Sequence, residues 1–334
     1  MKQKLKFGII GCGAVAQIIH LPILKKNQLI EISAICDLDK RKLLSVAEKF
    51  HIEKTYTDLQ KFFDENEFDA IMILTPTNTH KEIAETASNY CKNIFIEKPI
   101  TRNHKETKEL QHSIKKNHAN VMVGFHMRFR PDSMLMKSLI EAKEFGDLYL
   151  VKAGWFRPRS SMQNWFVKKT YSGGGVLMDL GLSIIDLAMW MLNYPEVFSV
   201  TAHNFFITTK DVEDVSVILI KTKKGHVISM EVSWLLSNES EWFYFNLFGS
   251  DGSVFLNPLR VKKQVGNSHV NLLDQSRSVT SNLYLKAYEN QIKHFVAAIN
   301  GVGKWVSTID EALSRQALLE AIYKSAKLNK EIKF

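Results

Sequence analysis

The sequence predicts an α/β domain built on a doubly wound parallel sheet over residues 1–123. An α+β domain with a large, mainly antiparallel open sheet follows over residues 124–334. Three observations carry this expectation. Strand-like and helix-like segments alternate over roughly the first 120 residues, as βαβ units require. A glycine-led turn, Gly11-Cys12-Gly13-Ala14-Val15-Ala16, joins the first strand to the first helix. After Gly146 the alternation gives way to long runs of β-branched and aromatic residues. At 334 residues two domains are expected, because single cores stop growing near about 250–300 residues.

Residues 5–10 (Leu-Lys-Phe-Gly-Ile-Ile) form the first strand, and the turn after it reads G-x-G-x-x-A. The first glycine permits a tight turn, and the second lets backbone approach a pyrophosphate. The small Ala16 lets the helix pack close on the strand. That helix, Ala14 to about Lys26, aims its first N–H groups and its dipole at phosphates. Gly11, Gly13, Ala14, Val15 and Ala16 are therefore candidate cofactor-binding residues. A second strand, Ile30 to Cys36, ends in Asp37, 21 residues after Ala16 (37 − 16). This is the spacing of a carboxylate that accepts hydrogen bonds from adenosine ribose hydroxyls. The alternative is that Asp37 only caps the helix from Asp39. Lys40-Arg41-Lys42 offers partners for a 2′-phosphate, so NADP stands beside NAD, with Arg41 a candidate contact. NAD is the preferred cofactor, because Asp37 repels a 2′-phosphate.

Helices are expected over 58–65, 78–91 and 103–117, and strands over 69–74, 93–97 and 119–124. Asn103 and Glu106 have capping-box spacing. The strand at Ala70–Leu74 exits into Thr75-Pro76-Thr77-Asn78-Thr79-His80. This turn either lines the nicotinamide side of a dinucleotide, through Thr75, Pro76, Asn78 and His80, or merely caps the next helix through Asn78. Asn93-Ile94-Phe95-Ile96 runs directly into Glu97 and Lys98, and Pro99 stops the strand. A residue before proline is held out of the helical region. Glu97 and Lys98 thus stand at the carboxyl end of a strand, where open α/β sheets bind ligands.

Near Gly124 the character changes, and a basic segment from Phe125 to Pro131 leads into a helix over about 132–144. Strands are expected at 147–157, 196–206, 212–221, 225–234 and 241–248, and closing helices at 282–301 and 308–329. One face of the second sheet is expected to carry helices. The other bears enough aromatics, over 227–248, to form the interface of a homodimer or homotetramer. Between these strands runs Val176 to Leu192, 17 residues, apolar nearly all round. Its two aspartates make it a buried helix rather than a membrane span. Asp179, Ser183 and Asp186 share one stripe of it. Asp186 reads as a partner of basic residues that locks the helix. Asp179, beside Gly173-Gly174-Gly175, reads as facing a ligand.

The net charge of +9 is spread along the chain without a helix-turn-helix, zinc-finger or RNA-binding signature. A solvated basic surface is expected, and no nucleic-acid partner. Cys12, Cys36 and Cys91 are few, odd in number and set in apolar segments, which favours reduced thiols and a cytoplasmic protein. The basic start precedes an apolar run too short for a signal peptide. No His or Cys spacing fits a metal site.

The G-x-G-x-x-A turn, the Glu97-Lys98-Pro99 strand end and the Gly-Gly-Gly…Asp-x-Gly-x-x-x-x-Asp helix together resemble the Gfo/Idh/MocA family of NAD(P)-dependent sugar and polyol oxidoreductases. The resemblance spans essentially the whole chain. It implies a Rossmann domain, a second domain for substrate and oligomerisation, and hydride transfer between NAD(P) and a hydroxyl carbon of a sugar, polyol or derivative. By position it makes Lys98 the acid/base, Asp179 its carboxylate partner, and Arg128, Arg157 and Trp165 neighbours of the substrate. One departure stands out: the family's histidine four residues after the helix aspartate is Ser183 here. A serine hydroxyl is too weak a base to relay a proton, though it can hydrogen-bond Asp179 or a sugar hydroxyl. His126 is the best substitute on the sequence, unless it is a surface histidine beside two arginines. A non-catalytic NAD(P) or sugar sensor on the same fold is the rival reading.

Overall fold

The computed structural model describes residues 4–161, 163–235, 241–265, 268–271 and 282–334. The chain packs as two units, residues 1–126 with 285–314, and residues 127–284 with 315–334. A division at residue 124 assigns 285–314 to the second domain; in the structure this segment packs with the first unit. The reason is apolar. The helix Leu283–Ile299 lays Phe295 edge-on against Phe7 and Phe95, at 5.9 and 5.7 Å between ring centroids.

Among the described residues the first unit holds six strands: β1 (Leu5–Ile10), β2 (Ile30–Cys36), β3 (Thr55–Tyr56), β4 (Ala70–Ile73), β5 (Asn93–Glu97) and β6 (Asn120–Gly124). They pair in parallel in the order β3-β2-β1-β4-β5-β6. Every residue of β4 is buried, as in a parallel sheet covered on both faces. Strand order reverses between β1 and β4, which is the switch point where such sheets bind ligands. The helix expected over 14–26 is not uniform. A widened π turn, Ala16–His20, precedes the α-helix Leu21–Lys26. Pro22 has no N–H for the carbonyl four residues back, and the bonding pattern loosens just before it.

The second unit holds β7 (Leu148–Phe156), β8 (Val197–Phe205), β9 (Val215–Thr222), β10 (Val227–Ser233), β11 (Trp242–Gly249), β12 (Gly252–Leu256), β13 (Arg260–Val265), β14 (Ser268–Asn271) and β15 (Ile332–Lys333). Their order is β14-β13-β12-β11-β7-β10-β9-β8-β15, antiparallel except for β7 beside β10. Val151, Ala153, Ile218, Ile220, Ile228, Met230, Phe245 and Leu247 point into the core in strict alternation. The core helix packs on that face. It resolves into a π turn, Leu177–Gly181, and an α-helix, Leu182–Met191. The helical stretch Lys169–Met191, which ends with this helix, is long and apolar enough to cross a membrane, and 94% of its apolar window is buried inside the protein.

Two expectations shift here. β9 begins at Val215 rather than 212, because the Asp214 carboxylate draws in the N–H groups of Ile207, Thr208 and Thr209 at 2.7–3.0 Å and winds that stretch into a turn. The edge ladder β12–β14 was not expected. Its residues include Lys262, Lys263 and Gln264 of β13, and β12, itself paired to β11, supplies the neighbour that their local composition does not demand.

Candidate active site

In the first unit, the residues after β1, β2, β4 and β5 stand at the carboxyl edge of one parallel sheet. Gly11 has φ of +100°, and its N–H reaches the Cys36 carbonyl at 2.8 Å. A Cβ there would strike the Leu74 backbone at 2.7 Å. Gly13 instead faces open space; Ala14 is exposed and Val15 half-buried, while Ala16 is buried under the turn. Asp37 accepts from the Cys12 N–H at 2.8 Å and from the Asp39 N–H at 2.9 Å, so it is tied to the glycine turn. Asp39 caps the helix Lys40–Phe50, through the N–H groups of Arg41 and Lys42 at 3.1 Å each. The capping alternative for Asp37 is thereby removed. Of the basic run, Lys42 rather than Arg41 engages Asp37, at 3.0 Å. Burial, aided by the Asp37 charge, pushes the Cys12 and Cys36 thiols up to about 12, and burial pushes Cys91 up to about 11. None is a thiolate nucleophile.

The helix after β4 starts at Thr77, with Pro76 at the cap position, so Asn78 lies inside its first turn and does not cap it. The Thr79 hydroxyl donates to Thr75 Oγ1 at 2.8 Å. His80 is buried, and its ring nitrogens meet the carbonyls of Pro99 at 2.8 Å and Thr75 at 2.7 Å. It ties the exit of β4 to the exit of β5 instead of presenting its ring nitrogens to a ligand. Burial pushes His80 below the ordinary histidine value, against the pull of the two carbonyls and of the Glu97 charge. Glu97 is buried; its Oε1 lies 2.7 Å from His20 Nε2, and its Oε2 accepts from the Lys98 N–H at 3.0 Å. Lys98 is half-buried, and its bond to Pro99 is cis.

In the second unit, Asp179 sits on the π turn and is only 6% exposed. The Ser160 hydroxyl lies 2.9 and 2.8 Å from its two oxygens, and Trp234 Nε1–H donates at 3.0 Å. Sequence reasoning named neither partner. Trp234 carried a signal, an indole ending a strand and needing an acceptor; Ser160, in a polar loop, carried none. Ser183 is buried one helical turn beyond Asp179. The turn itself is gripped by Glu213, whose Oε1 accepts from the N–H groups of Gly175 and Leu177 and from the Tyr323 hydroxyl, all at 3.0 Å. Burial pushes Glu213 above the ordinary carboxylate value and, with the Glu213 charge, Tyr323 well above the ordinary phenol value.

The remaining expected residues have other surroundings. Arg128 is committed to the core: Nε and Nη2 donate to Asp186 at 2.7 and 2.6 Å, and Arg315 adds a third contact at 2.9 Å. Asp186 therefore locks its helix as expected. Arg157 lies 3.8 Å from Glu241. Trp165 donates to Gln163 at 2.5 Å and meets Phe166 edge-on, and Phe166 leans on Trp234. His126 is no surface residue; it is buried in the first unit and stacks on Tyr288 at 4.3 Å. Among the described residues no group of three His, Cys, Asp or Glu could hold a metal.

A glycine turn at the switch point, with a carboxylate after β2, defines a dinucleotide-binding domain. The chain matches the profile of the Gfo/Idh/MocA oxidoreductase family, NAD-binding Rossmann fold, over residues 5–125, and that family's C-terminal domain over residues 134–255. It belongs to this family. D-glucoside 3-dehydrogenase of Escherichia coli (strain K12) is 25% identical over 340 residues, covering 96% of this chain and 95% of its own. The scyllo-inositol 2-dehydrogenase (NAD(+)) of Bacillus subtilis (strain 168) is 25% identical over 333 residues, covering 96% and 94%. Levoglucosan dehydrogenase, solved with NADH and levoglucosan, shares the fold with a TM-score of 0.89 at 21% identity over 99% of each chain. The residues here fit NAD: the backbone at Gly13 is unshielded, and Asp37 stands beside the turn.

Proposed function

We propose that the protein is an NAD-dependent dehydrogenase acting on a CH–OH group of a sugar, polyol or sugar derivative. The observation that carries this reading is the shared sheet edge, where the glycine turn, Asp37, Thr75 and Lys98 follow four neighbouring parallel strands. Bound NAD supplies the hydride acceptor. The chain's own part is to orient the cofactor and to move the hydroxyl proton. The neutral amine of Lys98 takes that proton, leaving a carbonyl product and an ammonium group. Asp179, which accepts from the Ser160 hydroxyl and the Trp234 indole, is proposed as the catalytic carboxylate that the family resemblance assigns. Arg157, Trp165 and Ser183 are proposed to line the substrate, and the acidic Asp37 to favour NAD over NADP. The names of the curated relatives, which act on a glucoside and on an inositol, support the substrate class.

The uncovered face of the second sheet, where Trp242 is 55% exposed and Val217 43%, supports a homodimer or homotetramer. Residues 236–240 of the aromatic stretch lie outside the described residues. The three free, buried cysteines support a cytoplasmic setting.

NADH formation across free, phosphorylated and nucleotide-linked sugars tests the reading. Lys98→Met should lower turnover by about 10²–10⁴-fold with NAD affinity kept. Near-normal turnover in that variant would remove Lys98 from the chemistry. Binding of NAD and a sugar without any turnover in the wild type would make the chain a sensor.

A further inference from the structure

We propose that His20 is a positioning residue for Lys98, acting through Glu97 and linking the cofactor-binding helix to the acid/base turn. This rests on the dehydrogenase reading above. His20 closes the π turn that follows the glycine turn, and it is fully buried. Its Nε2 lies 2.7 Å from Glu97 Oε1, while Glu97 Oε2 accepts the Lys98 N–H at 3.0 Å. The side chain of Glu97 is thus held from the helix on one oxygen and holds the lysine's own peptide with the other. Gly124 makes room for it: a Cβ there would come within 3.1 Å of the Glu97 carboxyl.

The environment fixes which protons the pair carries. Phe95 and Tyr288 meet the His20 ring edge-on at 5.5 and 5.6 Å, and Nδ1 is buried with no hydrogen-bond partner among the described residues. A buried donor without an acceptor is costly, while a bare lone pair costs less. Imidazolium, or a protonated Glu97 donating to Nε2, would each leave an N–H stranded at Nδ1. The arrangement that strands none is a neutral ring protonated at Nε2, donating to an ionised Glu97. The other titratable groups at this place are Lys98 and His80, and His80 senses the Glu97 charge while burial pushes it down. Removing the His20 donor leaves the buried carboxylate free to rotate or take a proton, and the Lys98 peptide loses its anchor.

Two measurements on the intact protein test this. A long-range ¹H–¹⁵N histidine spectrum of the wild type should show His20 protonated at Nε2 and bare at Nδ1; an Nδ1–H signal overturns the proposal whatever the activity. His20→Leu should lower kcat by about ten- to hundredfold, with KM for NAD within about twofold. His20→Gln, whose amide can still donate to Glu97, should recover most of the loss. Equal losses in both variants, tracking thermal stability and NAD affinity together, would reduce His20 to a core residue. If the wild type shows no dehydrogenase activity, the functional reading fails while the spectrum still decides the His20–Glu97 arrangement.

Discussion

Each unit contains a helix that opens on glycines and runs through a π turn, yet the two helix ends do different work. After Gly11-x-Gly13 the chain is open: Gly13 has nothing within 4 Å of where a Cβ would stand, and Ala14 is exposed. Its N–H groups and dipole favour a phosphate. After Gly173-Gly174-Gly175 the helix end is already occupied by a carboxyl group of the protein itself. Glu213 accepts the N–H groups of Gly175 and Leu177, and a Cβ on Gly174 or Gly175 would overlap Tyr323 or the Glu213 backbone. The first helix end is built to receive a ligand, and the second to hold Asp179 still. Glycines before a helix mark close approach, and what approaches is decided by residues far away in sequence.

The largest expected effect exploits that difference. Gly175→Ala sets a methyl group against backbone that cannot move aside, so it should lower stability by about 1–3 kcal/mol or prevent folding. Gly13→Ala adds the same atom into open space. Its melting temperature should stay near wild type while the KM for NAD rises about tenfold, because the new methyl group stands where the pyrophosphate approaches. Thermal melts with NAD titrations check both. If Gly13→Ala melted early with NAD affinity intact, the contrast between the two turns would be lost.

The first unit was largely legible in the sequence, and the second unit's site was not. Strands buried on both faces read as apolar runs, and the residues that end them, Gly11, Asp37, Thr75 and Lys98, lie next to those runs. Local signals therefore placed the sheet edge. The surroundings of Asp179 come from distant chain: Ser160 lies 19 residues before it and Trp234 lies 55 after. Glu213 lies 38 residues beyond the glycine it holds, and Arg128 lies 58 before Asp186. No periodicity reports such pairings, and the fold alone brings them together. Arg128 illustrates the cost: a basic residue in a segment rich in arginine reads equally as a ligand contact or a core ion pair.

Ser183 offers an intermediate effect. It is buried on the Asp179 helix, where one hydroxyl can orient a substrate or the carboxylate but cannot relay a proton. Ser183→Ala should lower kcat/KM about tenfold, as one hydrogen bond of about 1.4 kcal/mol implies. Unchanged kinetics across the sugar panel would take Ser183 out of the site.

The smallest expected effect tests the grip on the second helix end. Burial holds Glu213 above its ordinary value of 4.5. Between that value and the raised one, the folded chain binds more protons than the unfolded chain, so this group's contribution to stability falls as pH rises through that window. Glu213→Gln keeps an acceptor for Gly175, Leu177 and Tyr323 and removes the buried charge. The melting temperature of the variant should therefore gain on the wild type as pH rises from 4.5, then run parallel above the raised value. Glu213→Ala, which strands three donors, should melt lower at every pH. A wild type that instead gains on Glu213→Gln with rising pH would mean that the three donated hydrogen bonds outweigh burial. The helix end would then bind its own carboxylate much as the first binds a phosphate, and the two turns would differ only in where the anion comes from.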